Sequence, residues 1–163
     1  MGMGEGARIL FVCTGNSCRS VMAQHLFNHL LERAGMQTIQ TLSAGVFAVE
    51  GMSATEETQR LLRSAGVECN DHRAHGVTSE MVQEADLILV MEQAHQDELK
   101  RRYPEVGGKI HLLKTYGLSQ APQDSHPNIA DPIGKPMEVY EVCFAIIHEA
   151  VTRVAKSLGI PLT

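Results

Sequence analysis

A cysteine and an arginine with chemically suggestive spacing directly follow an apolar run near the start of the chain. In the segment ILFVCTGNSCRS, Cys13 ends the run and Arg19 lies six residues further on. A thiolate is a strong nucleophile, and an arginine guanidinium can bind two oxygens of one phosphate group at once. The pair therefore indicates nucleophilic attack on an anionic substrate that Arg19 holds in place.

The residues between this pair are small or polar, as a loop that binds an anion requires. They are Thr14, Gly15, Asn16, Ser17 and Cys18. Successive backbone N–H groups of such a loop can point inward, and the N-terminus of a following helix adds positive partial charge. The loop is predicted to bind phosphate and to stabilise a thiolate at Cys13. The competing interpretation is that Cys13 is a small core residue and that the C-x5-R spacing arises by chance.

A candidate acid lies in the long irregular segment 115–136, where Asp131 precedes Pro132. A carboxylic acid can protonate the oxygen that leaves when Cys13 attacks, and the resulting carboxylate can then activate water. Pro132 restricts Asp131 to extended geometry and stiffens the segment. An isolated Asp-Pro pair is more often a turn, but the upstream loop favours the catalytic interpretation. Asp124, in the same segment, is expected to be a solvated turn residue.

Apolar runs that alternate with amphipathic segments predict the elements that position these residues. Strands are predicted over 8–13, 39–45, 86–91 and 109–113. Helices are predicted after Arg19, after a Ser53–Glu56 capping box, after Thr78, over 92–103 and after Pro136. This order predicts one α/β domain over residues 1–163, a three-layer sandwich with a four-stranded parallel sheet. Ligands bind such sheets beyond the carboxyl ends of the strands, where Cys13 lies.

Composition narrows the classes of partner and compartment. The net charge of −5 and the pI near 5.9, with few aromatic residues, argue against a nucleic-acid surface. No apolar run reaches the roughly 18 residues of a membrane-spanning helix, and no signal peptide is recognised at the start. The cytoplasm is the expected location, where most of the four cysteines should be free thiols, and neither a metal nor a cofactor is expected. His25 and His29 lie one helical turn apart, but a solvated helix face is favoured over a metal site.

Two segments, VCTGNSCRSVMAQ and IADPIGKP, resemble the signature loop and the downstream Asp-Pro of the low-molecular-weight protein tyrosine phosphatase family. The likeness extends from about Arg8 to Leu158 and includes SAGV at 43–46 and DHRAH at 71–75. It implies the family fold, a four-stranded parallel sheet with flanking helices. It also implies a monomer or weak dimer that hydrolyses phosphorylated proteins or peptides through a thiophosphate intermediate.

The resemblance also implies a role for each matched residue. Cys13 would be the nucleophile, Arg19 the phosphate ligand and Asp131 the general acid. Asn16 and Ser20 would hold the loop and the thiolate. His72 would support Asn16 from behind the loop.

Three departures from the family pattern bear on the substrate. Val21 stands where many members have proline, and Ile133 and Gly134 stand where tyrosine phosphatases of the family commonly have aromatics. Ser17 replaces their usual isoleucine; the similar protein-arginine phosphatases have threonine there and arsenate reductases have serine. Phosphotyrosine is the expected substrate, and phosphoarginine is the alternative. Arsenate reduction ranks lower because only Cys69 lies near the middle of the chain, and a non-catalytic phosphate-binding module remains a further alternative.

Overall fold

A four-stranded parallel sheet forms the centre of the computed structural model, which describes residues 6–120 and 126–162. Its strands are β1 (Arg8–Cys13), β2 (Gln40–Gly45), β3 (Leu87–Val90) and β4 (Ile110–Leu112), in the order β2-β1-β3-β4. All four predicted strands are present, and each end lies within one residue of its predicted position. Asp124 lies outside the described residues.

The inner strand β1 pairs with neighbours on both sides, which explains why it is apolar from Ile9 to Cys13. Cys13 lies opposite Gly45 of β2, and Val12 lies opposite Val90 of β3. Alternate side chains of β1 enter two separate cores, with Phe11 on one face of the sheet and Leu10 on the other. Both faces are therefore covered, as is usual for parallel sheets.

Helices cover the two faces of the sheet and make the three layers that the sequence predicts. They are α1 (Arg19–Arg33), α2 (Glu56–Ser64), α3 (Ser79–Glu84), α4 (Gln93–Arg102) and α5 (Met137–Ser157), with a 3₁₀ turn at Pro104–Lys109. Residues of α1, α2 and α5 line one core, and residues of α3 and α4 line the other. In the described part of the chain, no helix has the length and hydropathy needed to cross a membrane.

Two predicted helix caps have different outcomes. Thr78 caps α3 as predicted, since its hydroxyl accepts a hydrogen bond from the Met81 N–H. The predicted capping box at Ser53 is wrong, because Thr55 caps α2 instead. The backbone N–H of Thr55 donates to the carbonyl of Ser17 at 3.0 Å. This bond to the loop after β1 fixes Thr55 in extended geometry, so the helix begins only at the next residue.

Candidate active site

The loop that joins β1 to α1 makes an unusual turn at Asn16. Its φ of 54° lies in the left-handed region, which residues other than glycine rarely adopt. The side-chain amide of Asn16 donates to the hydroxyls of Ser20 (2.8 Å) and Ser43 (3.0 Å), and its oxygen accepts from the His75 N–H (3.0 Å). The Asn16 carbonyl lies 2.8 Å from Nε2 of His72. Four bonds thus stabilise a turn that would otherwise be strained.

The Cys13 thiol lies inside this turn, 2% exposed, with two donors directed at its sulfur. Sγ is 3.0 Å from the Ser20 hydroxyl and 3.3 Å from the backbone N–H of Asn16. Because Ser20 Oγ already accepts from the Asn16 amide, its proton is available for the sulfur. Both hydrogen bonds hold the sulfur at the inner side of the loop, next to the N-terminus of α1.

The loop also presents backbone donors on its inner side. The N–H groups of Gly15, Ser17 and Cys18 find no acceptor among residues 6–120 and 126–162. The Cys18 sulfur contacts side chains of α5 and the α2 cap, 3.6 Å from the Tyr140 hydroxyl and 3.4 Å from Thr55 Oγ1. Ser17 is buried, and its hydroxyl lies 3.8 Å from the Cys18 sulfur. The predicted loop residues thus supply backbone N–H groups suited to binding an anion.

Arg19 is 1% exposed, and one end of its guanidinium is firmly anchored. Nη1 donates to Glu92 Oε2 at 2.6 Å and to the Ile129 carbonyl at 2.7 Å. Nη2 has only longer contacts, 3.3 Å to Thr14 Oγ1 and 3.5 Å to Asp131 Oδ2. Nε, although buried, has no acceptor among the described residues. The edge formed by Nε and Nη2 is therefore the part of the guanidinium suited to two oxygens of an anion.

The structure brings Asp131 to the same place from a distant part of the sequence. The segment is fixed beside the sheet by the Ile129 N–H, which donates to the Met91 carbonyl at 2.8 Å. Asp131 Oδ1 accepts from the Ile133 N–H at 3.1 Å, and Oδ2 faces Arg19. Because its side chain is 38% exposed, the carboxyl group is accessible to a substrate and to water as well as to the loop.

Comparison with known proteins identifies the family of this chain. The sequence model of the low molecular weight phosphotyrosine protein phosphatase family matches residues 8–160. The chain belongs to this family. Family membership confirms the expected α/β fold and the expected class of enzyme, a cysteine-dependent protein phosphatase.

Individual relatives of this phosphatase fall into two named groups. A protein-arginine-phosphatase of Geobacillus stearothermophilus is 37% identical, over 93% of this chain and 95% of its own. A probable low molecular weight protein-tyrosine-phosphatase, EpsP of Ralstonia nicotianae, is 34% identical over 88% of this chain and 90% of its own. A solved mutant of the YwlE arginine phosphatase with a phosphorylated active-site serine is 32% identical, with a TM-score of 0.84 over 93% of this chain and 95% of that one.

Two residues of this phosphatase that sequence reasoning missed lie at the start of α4. Glu92 binds Arg19, and His95 Nε2 lies 2.8 Å from Thr14 Oγ1. His95 is 3% exposed, and burial, reinforced by the Arg19 charge, lowers its pKa to about 4. The available signal was an E-x-x-H pattern directly after the third strand, whose carboxyl end lies beside that of β1.

The end of β2 and the segment after it contribute two further residues to the wall of the loop. The Phe47 N–H donates to the Thr14 carbonyl at 2.9 Å, while its ring is 68% exposed and lies 5.4 Å from the Arg102 guanidinium. At Gly45 a Cβ would lie 2.4 Å from the Thr14 carbonyl and 3.0 Å from the Asn16 nitrogen. Glycine is therefore required for β2 to approach the loop so closely.

His72 reaches the loop from behind, as the family resemblance implies. Its bond to the Asn16 carbonyl requires a proton on Nε2, since a carbonyl can only accept. Burial lowers the pKa of His72, which favours the neutral ring. His72 thus contacts the backbone of Asn16, whereas the Asn16 side chain is held by Ser20, Ser43 and His75.

Proposed function

We propose that this phosphatase hydrolyses phosphotyrosine in proteins or peptides, with Cys13 as the nucleophile. The thiolate attacks phosphorus, the bond from phosphorus to the tyrosine oxygen breaks, and Asp131 gives its proton to that oxygen. In the second step the Asp131 carboxylate takes a proton from water as the water oxygen attacks phosphorus. The sulfur–phosphorus bond then breaks, which regenerates the thiolate and releases inorganic phosphate.

The buried fork of Arg19 is the observation that carries this proposal. A buried guanidinium needs hydrogen-bond partners to replace the water it has lost. Glu92 and the Ile129 carbonyl provide these partners only for Nη1. A phosphoryl group beside Cys13 would complete the hydrogen bonding of Nε and Nη2. The loop N–H groups would bind the remaining oxygens, most strongly in the transition state.

An exposed aromatic ring at the loop supports an aryl phosphate as substrate. Phe47 is fixed to the loop by its own N–H and to α4 by Arg102. Ile133, beside Asp131, adds a second exposed apolar side chain. These two residues would contact the phenyl ring of phosphotyrosine. Phe47 thus offers the aromatic contact that Ile133 and Gly134 do not supply after Asp131.

Phosphoarginine is a second candidate substrate, favoured by Ser17. A small hydroxyl inside the loop leaves room around the bridging atom, which an isoleucine would crowd, and can hydrogen-bond to a substrate nitrogen. The similarity to named protein-arginine-phosphatases over 93% of the chain supports the same substrate class. Asp131, partly exposed, would face the substrate guanidinium.

Kinetics of the wild type and of Ser17→Ile test the substrate assignment. The variant should shift the ratio of kcat/KM toward phosphotyrosine peptides over phosphoarginine peptides by at least about tenfold, roughly 1.4 kcal/mol in relative transition-state binding. Ser17→Thr, which keeps the hydroxyl, is the matched control and should change the ratio much less. An unchanged ratio in Ser17→Ile would remove Ser17 as the selector.

The same assay separates the other candidate functions. A wild type that binds phosphate but hydrolyses neither substrate would be a non-catalytic module. Turnover of arsenate with thioredoxin, without phosphatase activity, would favour a reductase.

We propose that the enzyme acts as one domain, as a monomer or weak dimer in the cytoplasm. Its four cysteines, unpaired and buried, fit a reducing compartment.

A further inference from the structure

The Thr14 hydroxyl lies between two nitrogen donors at the edge of the loop. Its oxygen is 2.8 Å from His95 Nε2 and 3.3 Å from Arg19 Nη2. Arginine has only donors, so Thr14 accepts from Arg19. The role of His95 follows from the other side of its ring, where Nδ1 accepts from the Glu92 N–H at 3.1 Å. A neutral imidazole carries one proton, which must then be on Nε2, and Thr14 accepts from His95 as well.

This arrangement leaves the Thr14 hydroxyl with one defined function. A hydroxyl oxygen has two acceptor lone pairs and one proton to donate. Both acceptor positions of Thr14 are filled, and its proton has no acceptor among residues 6–120 and 126–162. The hydroxyl lies beside the Arg19 fork and one residue after Cys13, so an anion bound to the loop is the acceptor within reach.

We propose that His95 is a positioning residue that fixes the Thr14 hydroxyl as a hydrogen-bond donor to the bound phosphoryl group. This inference rests on the proposed function, because it assigns the phosphoryl group as the acceptor. It adds a side-chain donor to the backbone N–H groups of the loop. That donor is oriented by α4, which packs on the opposite face of the sheet from α1.

Burial keeps this orientation fixed. His95 is nearly inaccessible, and Glu92 ties it to the start of α4 while also binding Arg19. A flipped ring would place a carbon where each hydrogen bond now lies. A protonated ring would lose the acceptor for the Glu92 N–H. The start of α4 therefore controls both side chains, Thr14 and Arg19, that flank the anion site.

Two substitutions of His95 separate this positioning role from a structural one. In His95→Asn, the amide oxygen can accept from the Glu92 N–H in place of Nδ1 but cannot reach Thr14. In His95→Gln, the longer amide can donate to Thr14 in place of Nε2, and its oxygen can also accept from the Glu92 N–H, as glutamine does at this position of a capping box. We expect His95→Asn to lose about tenfold in affinity for inorganic phosphate and in kcat/KM, the effect of one hydrogen bond to a charged group, with nearly unchanged stability. His95→Gln should keep phosphate affinity close to that of the wild type, because it restores the donor to Thr14.

Thr14 variants complete the test. Thr14→Val should lose as much phosphate affinity as His95→Asn. The double variant Thr14→Val/His95→Asn should lose no more than either single variant. Thr14→Ser, which keeps the hydroxyl, should bind phosphate as the wild type does. The reverse pattern for the two His95 variants, or additive losses in the double variant, would overturn the proposal. Nitrogen-15 NMR of the wild type should show a neutral His95 protonated at Nε2, and a proton on Nδ1 would also overturn it.

Phosphate affinity is measured by calorimetry and needs no turnover. If the wild type hydrolyses neither phosphotyrosine nor phosphoarginine while His95→Asn still weakens phosphate binding as predicted, the proposed function fails and the Thr14 assignment stands. If the wild type hydrolyses one of these substrates and phosphate binding of His95→Asn is unchanged, the proposed function stands and the Thr14 assignment fails.

Discussion

At the scale of single residues, the site is organised around the buried charge of Arg19. Glu92 and Asp131 supply carboxylates to this guanidinium from two different parts of the chain, and they differ in exposure. Glu92 makes the short contact to Nη1, whereas Asp131 makes the longer one and faces outward. This difference fits an anchoring role for Glu92 and supports the proposal that Asp131 transfers the proton.

Asp131→Asn should therefore slow hydrolysis most for substrates with poor leaving groups. A poor leaving group needs a proton from Asp131, while a good one departs unaided, so we expect losses of about 10²-fold or more for simple alkyl or phenyl phosphates and much less for a nitrophenyl phosphate. The measurement is kcat across a series of leaving groups. Asp97→Asn, on the exposed side of α4, is the control. A uniform loss across the series would make Asp131 a positioning residue for Arg19.

Sequence reasoning selected Cys13, Arg19 and Asp131 as candidates because each carries its own chemical signal: a thiol after a buried strand, a spaced arginine, an acid before proline. The structure brings Asp131 within 3.5 Å of Arg19. His95 has only the weaker signal of the E-x-x-H pattern after the third strand, and Phe47 has none. In the sequence they look like a residue of an exposed helix and a residue of a loop, and only the parallel sheet, which gathers three strand ends, gives them a place in the site.

At the scale of elements, the loop between β1 and α1 is shaped by the end of β2. Val46 and Phe47 donate backbone hydrogen bonds to the carbonyls of Cys13 and Thr14, at 3.0 and 2.9 Å. Gly45 permits this approach because a side chain there would meet backbone atoms of the loop. The apolar runs predicted the strands well. The cap of α2 was mispredicted because a bond from Thr55 to the loop, invisible in local sequence, decides where that helix begins.

Gly45→Ala should distort the loop and lower activity more than stability. The added Cβ would lie 2.4 Å from a backbone oxygen, so the loop must shift. We expect at least about tenfold weaker phosphate binding, a similar loss in kcat/KM and a stability loss of about 1–3 kcal/mol, typical of overpacking. Gly108→Ala is the matched control, since nothing lies within 4 Å of its Cβ position. Wild-type kinetics in Gly45→Ala would show that the loop tolerates the shift.

At the scale of the whole molecule, one buried and three half-buried histidines connect folding to pH. Burial lowers the pKa of His25, His72, His95 and His111. Each is favoured in its neutral form in the folded protein, while the unfolded chain takes up protons near the ordinary histidine value. Below that value the unfolded state binds more protons than the folded one, so stability falls as the pH falls.

The largest of these shifts sets a measurable window. The pKa of His95 is lowered from its ordinary value of 6.5 to about 4, so its effect on stability falls in this range of pH. Its contribution to the free energy of unfolding, fully present above 6.5, should drop by about 2 kcal/mol between about pH 7 and pH 5. Urea unfolding at the two pH values measures this difference, and His95→Gln should reduce it. A single transition is also expected, as for one cooperative domain. Stability that is equal at both pH values would contradict the account.

Trapping the phosphorylated enzyme would show directly which residue attacks phosphorus. Asp131→Asn should still be phosphorylated by an aryl phosphate with a good leaving group, but it lacks the base that activates water for the second step. After a rapid quench, mass spectrometry should find one phosphoryl group on the peptide that contains Cys13, and Cys13→Ala should show neither the label nor turnover. Turnover by Cys13→Ala, or a label on any other residue, would contradict the assignment of Cys13 as the nucleophile.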